Sequence, residues 1–405
     1  MIKEEVMKFN EKFSKATAGM GSSMIRELVA TTKGIPGLIS LAGGFPSPDS
    51  FNKEDIAECY KEVVLESGND ILQYGASEGD AQLKEELIKW EEYKNMSMDE
   101  MLITVGSTNA IYYYAKTFIN PGDVILCEAP SFLGSLVSFE AEMAELISIE
   151  MDDEGINIEK LKQAIADCAQ NGKKVKFLYT IPDFQNPTGI SMSAQRRMDL
   201  VELMAEVNIP ILEDNPYSEL RYTGEMIPSI FKIAEEKNLR GLVTLVKSFS
   251  KILGPGLRVA YAVSSEEIIG KMCSWQQKVN VSPGCVTERM VARFMQKDLL
   301  VKQIGIVNDL YTPYWEAMLT ALEDFMPKTV KWTKPEGGMF VWLTLPEGVD
   351  ADELFVKARE QKVAFIPGSK FFPKGQEQHN CLRLNYSYAK PDAIREGVKR
   401  LASIM

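Results

Sequence analysis

A chain of 405 residues is too long for one simple hydrophobic core, so two domains are expected. Its composition, 45% apolar and 25% charged, is that of an ordinary globular enzyme and shows no repeat or low-complexity tract. Lys and Arg total 45 against 57 Asp and Glu, a net charge of −12 that speaks against nonspecific binding to nucleic acid or anionic lipid.

The first sixteen residues mix Lys and Glu around Val6, Met7, Phe9 and Phe13 and do not read as a signal peptide. No apolar run reaches the roughly 18 residues of a membrane span. The next features are the stretch Ile39 to Pro46 and an apolar run at 102–105 that ends in Gly106-Ser107-Thr108 and enters the segment 109–117. From there to about residue 265 the chain alternates apolar β-rich runs with amphipathic stretches. The runs lie at 124–128, 175–181, 209–213, 242–246 and 259–263, nearly unbroken in apolar character, as expected of strands buried on both faces. Between them, Ile158, Leu161, Ile165 and Cys168 mark one helix face, and Leu200, Val201, Met204 and Ala205 another. This order predicts an α/β domain with a mostly parallel sheet sandwiched by helices.

After about Thr287 the pattern changes to a long helical stretch, a run at 338–343, a helix near 351–361 and strands around 364–366 and 381–384. That is the reading of a smaller α+β domain. The expected division is an N-terminal segment 1–45 joined to the small domain, a large domain 46–290, and a small domain 291–405. The six cysteines form no C-x-x-C pair, which suits reduced thiols and a cytoplasmic protein. His379 is the only histidine and sits in a polar stretch, so it is expected at the surface and no metal site is expected.

In open α/β sheets, ligand chemistry gathers beyond the carboxyl ends of the strands. There the sequence places Gly106-Ser107-Thr108, Phe132, Asn186, Asp214 with Tyr217, and Ser248-Phe249-Ser250-Lys251 followed by Arg258. A lysine just after two hydroxyl residues, with an arginine seven positions on, suits an aldehyde that also carries a phosphate. The amine forms a Schiff base, while hydroxyls, guanidinium and the helix start at Gly106 hold the dianion. Asp214 would pair with a protonated pyridine nitrogen. Asn186 and Tyr217 would hydrogen-bond the ring hydroxyl, and Phe132 would stack on the ring.

With these residues in view, the chain resembles class I/II aminotransferases of fold type I, which use pyridoxal 5′-phosphate. It is most similar to the subgroup of 2-aminoadipate and kynurenine aminotransferases and the aminotransferase-like domain of MocR-type regulators. The matching stretches are Ile39 to Pro46, Gln73-Tyr74-Gly75, Asn186 to Gly189, Asp214 to Tyr217, Ser248 to Lys251, Pro255 to Arg258, Gly337 to Phe340 and Leu382 to Asn385, in family order over nearly the whole chain.

The resemblance implies that Lys251 carries the cofactor, with Asp214 and Tyr217 beside it in the catalytic set. It assigns Gly106, Ser107, Thr108, Ser248, Ser250 and Arg258 to the phosphate and Phe132 and Asn186 to the ring. Thr108 departs from the glutamine common in the subgroup. Arg383 matches the arginine that takes the substrate α-carboxylate, with Gly44 and Asn186 beside it, and Arg26 a mobile arginine used on substrate side chains. Tyr74 matches a tyrosine sent into the partner subunit's site, which implies a homodimer. The implied reaction moves an amino group from an α-amino acid to a 2-oxo acid, with 2-oxoglutarate the expected acceptor.

The same scaffold serves lyases, so a pyridoxal-phosphate lyase is an alternative. A ligand-sensing domain is another, although the regulators carry a DNA-binding domain ahead of this fold and only about 25 residues precede Arg26, against a domain minimum of about 50.

Overall fold

The computed structural model describes residues 12–19, 34–93 and 95–405. Arg26 lies outside them. The chain builds an eight-stranded sheet from β1 (Met101–Thr104), β2 (Val124–Ala129), β3 (Glu145–Asp152), β4 (Gly155–Ile156), β5 (Val175–Thr180), β6 (Ile211–Asp214), β7 (Val243–Ser248) and β8 (Ala260–Val263). Their spatial order is β1-β8-β7-β6-β5-β2-β3-β4. The five strands β3, β2, β5, β6 and β7 run parallel, while β8 is antiparallel to both of its neighbours. The apolar run at 259–263 signals burial on both faces; it carries no information about direction, which is why a mixed sheet follows from a pattern that reads as parallel.

The helices bury the faces that their periodicity marks, with Leu161 and Cys168 on Ile158–Gln170 and Leu200, Val201 and Met204 on Ala194–Glu206. Together with the sheet they form one large hydrophobic core.

A second core gathers around a four-stranded sheet of β9 (Lys331–Trp332), β10 (Phe340–Thr344), β11 (Ile366–Pro367) and β12 (Cys381–Asn385), in the order β9-β10-β12-β11 and wholly antiparallel. Residues 39–41 return to this region: Ile39–Ser40 pairs in parallel with Val363–Ala364, and the Asn385 N–H donates to the Leu41 carbonyl at 2.8 Å. The helix Leu299–Phe325 serves both cores. Its Leu300, Val307 and Tyr311 belong to the first, and Tyr314, Met318 and Leu322 to the second. Residue 290 falls within the helix Cys285–Gln296, which packs into the first core.

Among the described residues no helix is long and apolar enough to cross a membrane. All six cysteines are free thiols. His379 is exposed, with Asp350 and Asp352 within 3.7 Å and 3.4 Å of its Nδ1. Lys370 already pairs with Asp352 at 2.7 Å.

Candidate active site

The parallel strands β2, β5, β6 and β7 end side by side, and the segments beyond them are tied together from below. Near the end of β2, Glu128 is fully buried and accepts from Thr180, from the Ile181 N–H and from Gln185. Burial pushes its carboxyl up to about 7. Gln185 also donates to the Pro130 carbonyl at 2.7 Å, joining the loops after β2 and β5. Asp183 takes both ends of the Arg197 guanidinium and accepts from Asn215 at 2.8 Å, joining the loops after β5 and β6. Lys247 on β7 reaches Glu91 and Glu219, each at 2.6 Å, and so holds the segment that follows Tyr217. These buried pairs fix the backbone from which the site residues project.

Lys251 lies just past β7. Its Nζ donates to the Gly44 carbonyl at 3.0 Å and stands 5.9 Å from the centre of the Tyr217 ring. Burial lowers its amine to about 8, with the cations Arg383 and Arg258 adding to the effect and Asp214 opposing it. The last residue of β6, Asp214, is 3% exposed. Its Oδ2 accepts from the Tyr179 hydroxyl at 2.8 Å, while Oδ1 is buried with no hydrogen-bond partner. Burial raises this carboxyl to about 6, against the Tyr179 hydrogen bond and the Lys251 charge.

Arg383, on β12 of the second sheet, is 2% exposed. Nη1 donates to Asn186 Oδ1 at 2.9 Å, Nη2 donates to the Ala42 carbonyl at 2.8 Å, and Nε is buried without a partner. The guanidinium lies between the rings of Phe340 at 4.3 Å and Phe371 at 4.9 Å. Burial lowers it to about 10, so it remains a cation at neutral pH. No carboxylate among the described residues pairs with it. Asn186 extends the chain of contacts by donating to the Tyr217 hydroxyl at 3.4 Å. Gly44 belongs to the same wall: a Cβ there would stand 3.3 Å from Phe340.

On the other side of Lys251, Gly106 opens the helix α1 (Ser107–Phe118) as its N-cap, with φ +81 and no side-chain cap. The Asn109 N–H donates to the Gly106 carbonyl at 3.1 Å, which leaves the Ser107 and Thr108 N–H groups at the helix start for a ligand. Arg258, itself left-handed at φ +55, crosses over Gly106 and donates to the Val105 carbonyl at 3.3 Å. A Cβ on Gly106 would fall 2.1 Å from Arg258 Nη2, so a side chain there would displace the guanidinium and would also be strained at this positive φ. Ser248 donates to Ser250 at 3.0 Å. Ser107, Thr108, Ser248, Ser250 and Arg258 therefore come from the helix start and the Lys251 turn, the two segments that Arg258 joins.

Phe132 is the N-cap residue of α2 (Leu133–Ala141), and its ring lies over Gly134. Tyr74 is 80% exposed and belongs to the surface of the chain. The structure therefore gathers Lys251, Asp214, Tyr217, Asn186, Arg383 and Gly44 by direct contact or charge, and sets Gly106 against Arg258. It does not bring Tyr74 into that group.

Tyr179 and Ser135 were not evident in the sequence as site residues. A tyrosine inside a buried strand needs a partner for its hydroxyl, and that requirement is the one signal that points to Tyr179. Its partner depends on pairing: Tyr179 lies opposite Leu212, so Asp214, two residues on, shares its face of the sheet.

These groups suit a phosphorylated aldehyde with a basic ring nitrogen: an amine of lowered basicity, an unpartnered buried carboxylate oxygen, and a helix start beside an arginine. The comparisons with known proteins agree. The family described as aminotransferase class I and II matches residues 37–401. An aromatic-amino-acid aminotransferase of Thermococcus litoralis is 40% identical over 99% of this chain and 95% of its own. A 2-aminoadipate transaminase of Thermus thermophilus is 36% identical over 98% and 96%. A kynurenine aminotransferase of Pyrococcus horikoshii, solved in complex with PMP, superposes with a TM-score of 0.92 at 40% identity, covering 97% of this chain and 96% of that one. The chain belongs to the aminotransferase class I and II family, enzymes of fold type I that depend on pyridoxal phosphate.

Proposed function

We propose that this enzyme moves the amino group of an α-amino acid to a 2-oxo acid, with 2-oxoglutarate as acceptor, using Lys251 as both cofactor anchor and proton carrier. The observation that carries the reading is the approach of two cationic side chains, Lys251 and Arg383, that form no ion pair among the described residues. Lys251 Nζ is lowered to about 8, and buried Arg383 has no carboxylate partner among the described residues.

Pyridoxal phosphate, when bound, supplies an aldehyde and an electron-withdrawing ring that acidifies the Cα–H of an attached amino acid. Lys251 would hold the aldehyde, and Asp214 would accept from the ring nitrogen through its unpartnered Oδ1. Asn186 and Tyr217 face the ring hydroxyl. Gly106, Ser107, Thr108, Ser248, Ser250 and Arg258 take the phosphate, and Phe132 flanks the ring. Arg383 takes the substrate α-carboxylate through a forked pair of hydrogen bonds, with Gly44 and Asn186 shaping that end of the site. Lys251 Nζ would then accept the Cα proton of the bound amino acid and deliver it again. An amine near pH 8 has the basicity for both tasks at neutrality. Arg26 is assigned to the substrate side chain and Tyr74 to the partner subunit's site in a homodimer. The free thiols support a cytoplasmic setting. The alternatives of a lyase and a sensor gain no support from the relatives described above, which are all named as aminotransferases.

The test is the visible absorption of the holoenzyme. The band should bleach with an aromatic amino acid, 2-aminoadipate or kynurenine and return on addition of 2-oxoglutarate. Ammonia release in place of the return would turn the assignment to a lyase. No response to any donor would remove transamination altogether.

A further inference from the structure

Asp214 uses one oxygen on the protein and leaves the other free, and the protein side of that arrangement is built with some care. Ser135 Oγ lies 2.8 Å from the Tyr179 hydroxyl, which lies 2.8 Å from Asp214 Oδ2. An ionised carboxylate has no hydrogen to give, so the hydrogen in the second bond is the tyrosine's own. A phenol has only one. The contact with Ser135 is therefore donated by the serine, and the direction of the whole chain is set: Ser135 to Tyr179 to Asp214.

The support comes from one helix. Ser135 and Phe139 are four residues apart on α2 and share a face. Phe139 packs edge-on against the Tyr179 ring at 5.4 Å and 71°, so α2 grips both the ring and the hydroxyl of Tyr179. The N-cap of the same helix is Phe132. All three members of the chain are buried. The other titratable groups around Asp214 are Lys251, Tyr217 and Glu128. Of these only Lys251 favours the carboxylate by its charge, and Tyr179 is the one side chain that hydrogen-bonds it.

We propose that Tyr179, oriented by Ser135, is a positioning residue that fixes Asp214 through Oδ2 and so presents Oδ1 as a directed, ionised acceptor for the cofactor's ring nitrogen. The inference rests on the reading of Asp214 as the partner of that nitrogen. The Tyr179 hydroxyl is spent on Ser135 and Asp214, so its part is to position and not to react. It acts by holding a carboxylate that burial would otherwise push toward its neutral form.

The experiment is 15N NMR of the holoenzyme reconstituted with cofactor labelled at the ring nitrogen, followed across pH. In the unaltered enzyme the signal should stay at its protonated position through neutral pH. Tyr179→Phe keeps the ring packed against Phe139 and removes only the hydroxyl. It should bring the change to the unprotonated position down by about one pH unit, a tenfold shift in the equilibrium. Ser135→Ala, a smaller change that spares the tyrosine, should move it the same way by less.

Asp214→Asn sets the scale. If it displaces the signal while Tyr179→Phe and Ser135→Ala both leave it at the unaltered position, the positioning role is overturned and the reading of Asp214 stands. If Asp214→Asn itself leaves the signal in place, both fall together.

Discussion

Arg383 Nη1 and Asn186 Oδ1 are 2.9 Å apart, and this bond crosses from the small antiparallel sheet to the loop beyond β5 of the large one. It places the guanidinium beside the residue that also reaches Tyr217. Because the arginine is held by Asn186, by the Ala42 carbonyl and by two aromatic faces, its position does not wait on substrate. Arg383→Gln should therefore lower kcat/KM for every amino-acid donor by roughly two orders of magnitude, about 3 kcal/mol, the worth of a forked charge-assisted pair. Cofactor absorbance should be retained. Steady-state kinetics with two donors of different side chains would check it, and a loss confined to one donor would move Arg383 to side-chain recognition.

Cofactor uptake should follow the basicity of Lys251. Only the neutral amine attacks an aldehyde. Burial and the cations Arg383 and Arg258 place the change at about 8, so uptake by the apo-enzyme should rise with pH and level off near there, well short of the ordinary lysine value of 10.5. Stopped-flow absorbance across pH would show the plateau. Lys251→Ala should abolish both the band and turnover.

The same shift has a sign for stability. Between about 8 and 10.5 the unfolded chain binds a proton at Lys251 that the folded apo-enzyme does not, so this group's contribution rises with pH in that window. Asp214 works in the opposite sense. Its folded value of about 6 against 3.8 means that its contribution grows as pH falls through that range. Denaturant midpoints of the apo-enzyme should show the upper slope, and Lys251→Met should flatten it.

Gly106→Ala tests the phosphate end without removing a charged group. The new Cβ would meet Arg258 Nη2 at 2.1 Å, at a backbone φ of +81 that a side chain rarely adopts. The conformational strain alone costs about 1–2 kcal/mol, and Arg258 must also move. Cofactor affinity should fall at least tenfold, read by equilibrium dialysis, while the far-UV spectrum stays unchanged.

Arg197→Met should destabilise the fold by about 3–5 kcal/mol, since it leaves Asp183 buried with Asn215 as its remaining side-chain hydrogen bond and takes the cation away from the nearby Glu213 as well. The double variant Arg197→Met with Asp183→Leu should recover much of that loss. Chemical denaturation of the single and double variants would separate a lost cation from lost packing.

The outline of the fold could be read from the order of apolar runs and helix faces, because burial on both faces leaves a continuous apolar signature at 175–181 or 242–246. The direction of β8 could not, since the same signature serves either direction. Nor was β3 evident: it is a half-exposed strand whose burial alternates irregularly. Lys251, Asp214, Asn186 and Arg383 stood out because their residue types, placed just past buried strands or within a matching motif, suit one chemistry. The exposed Tyr74 stood out only by resemblance, and Arg26, which lies outside the described residues, likewise.

By itself the sequence determined the class of fold, and it singled out Lys251 and the groups expected around it, because each is written locally in a run, a turn or a motif. Which oxygen of Asp214 is free, that Arg258 crosses over Gly106, and that Arg383 leans on Asn186 were decided by the tertiary structure alone. These facts depend on strand register and on two sheets meeting at one edge, and residues 179, 214, 186 and 383 become neighbours only when that packing is complete.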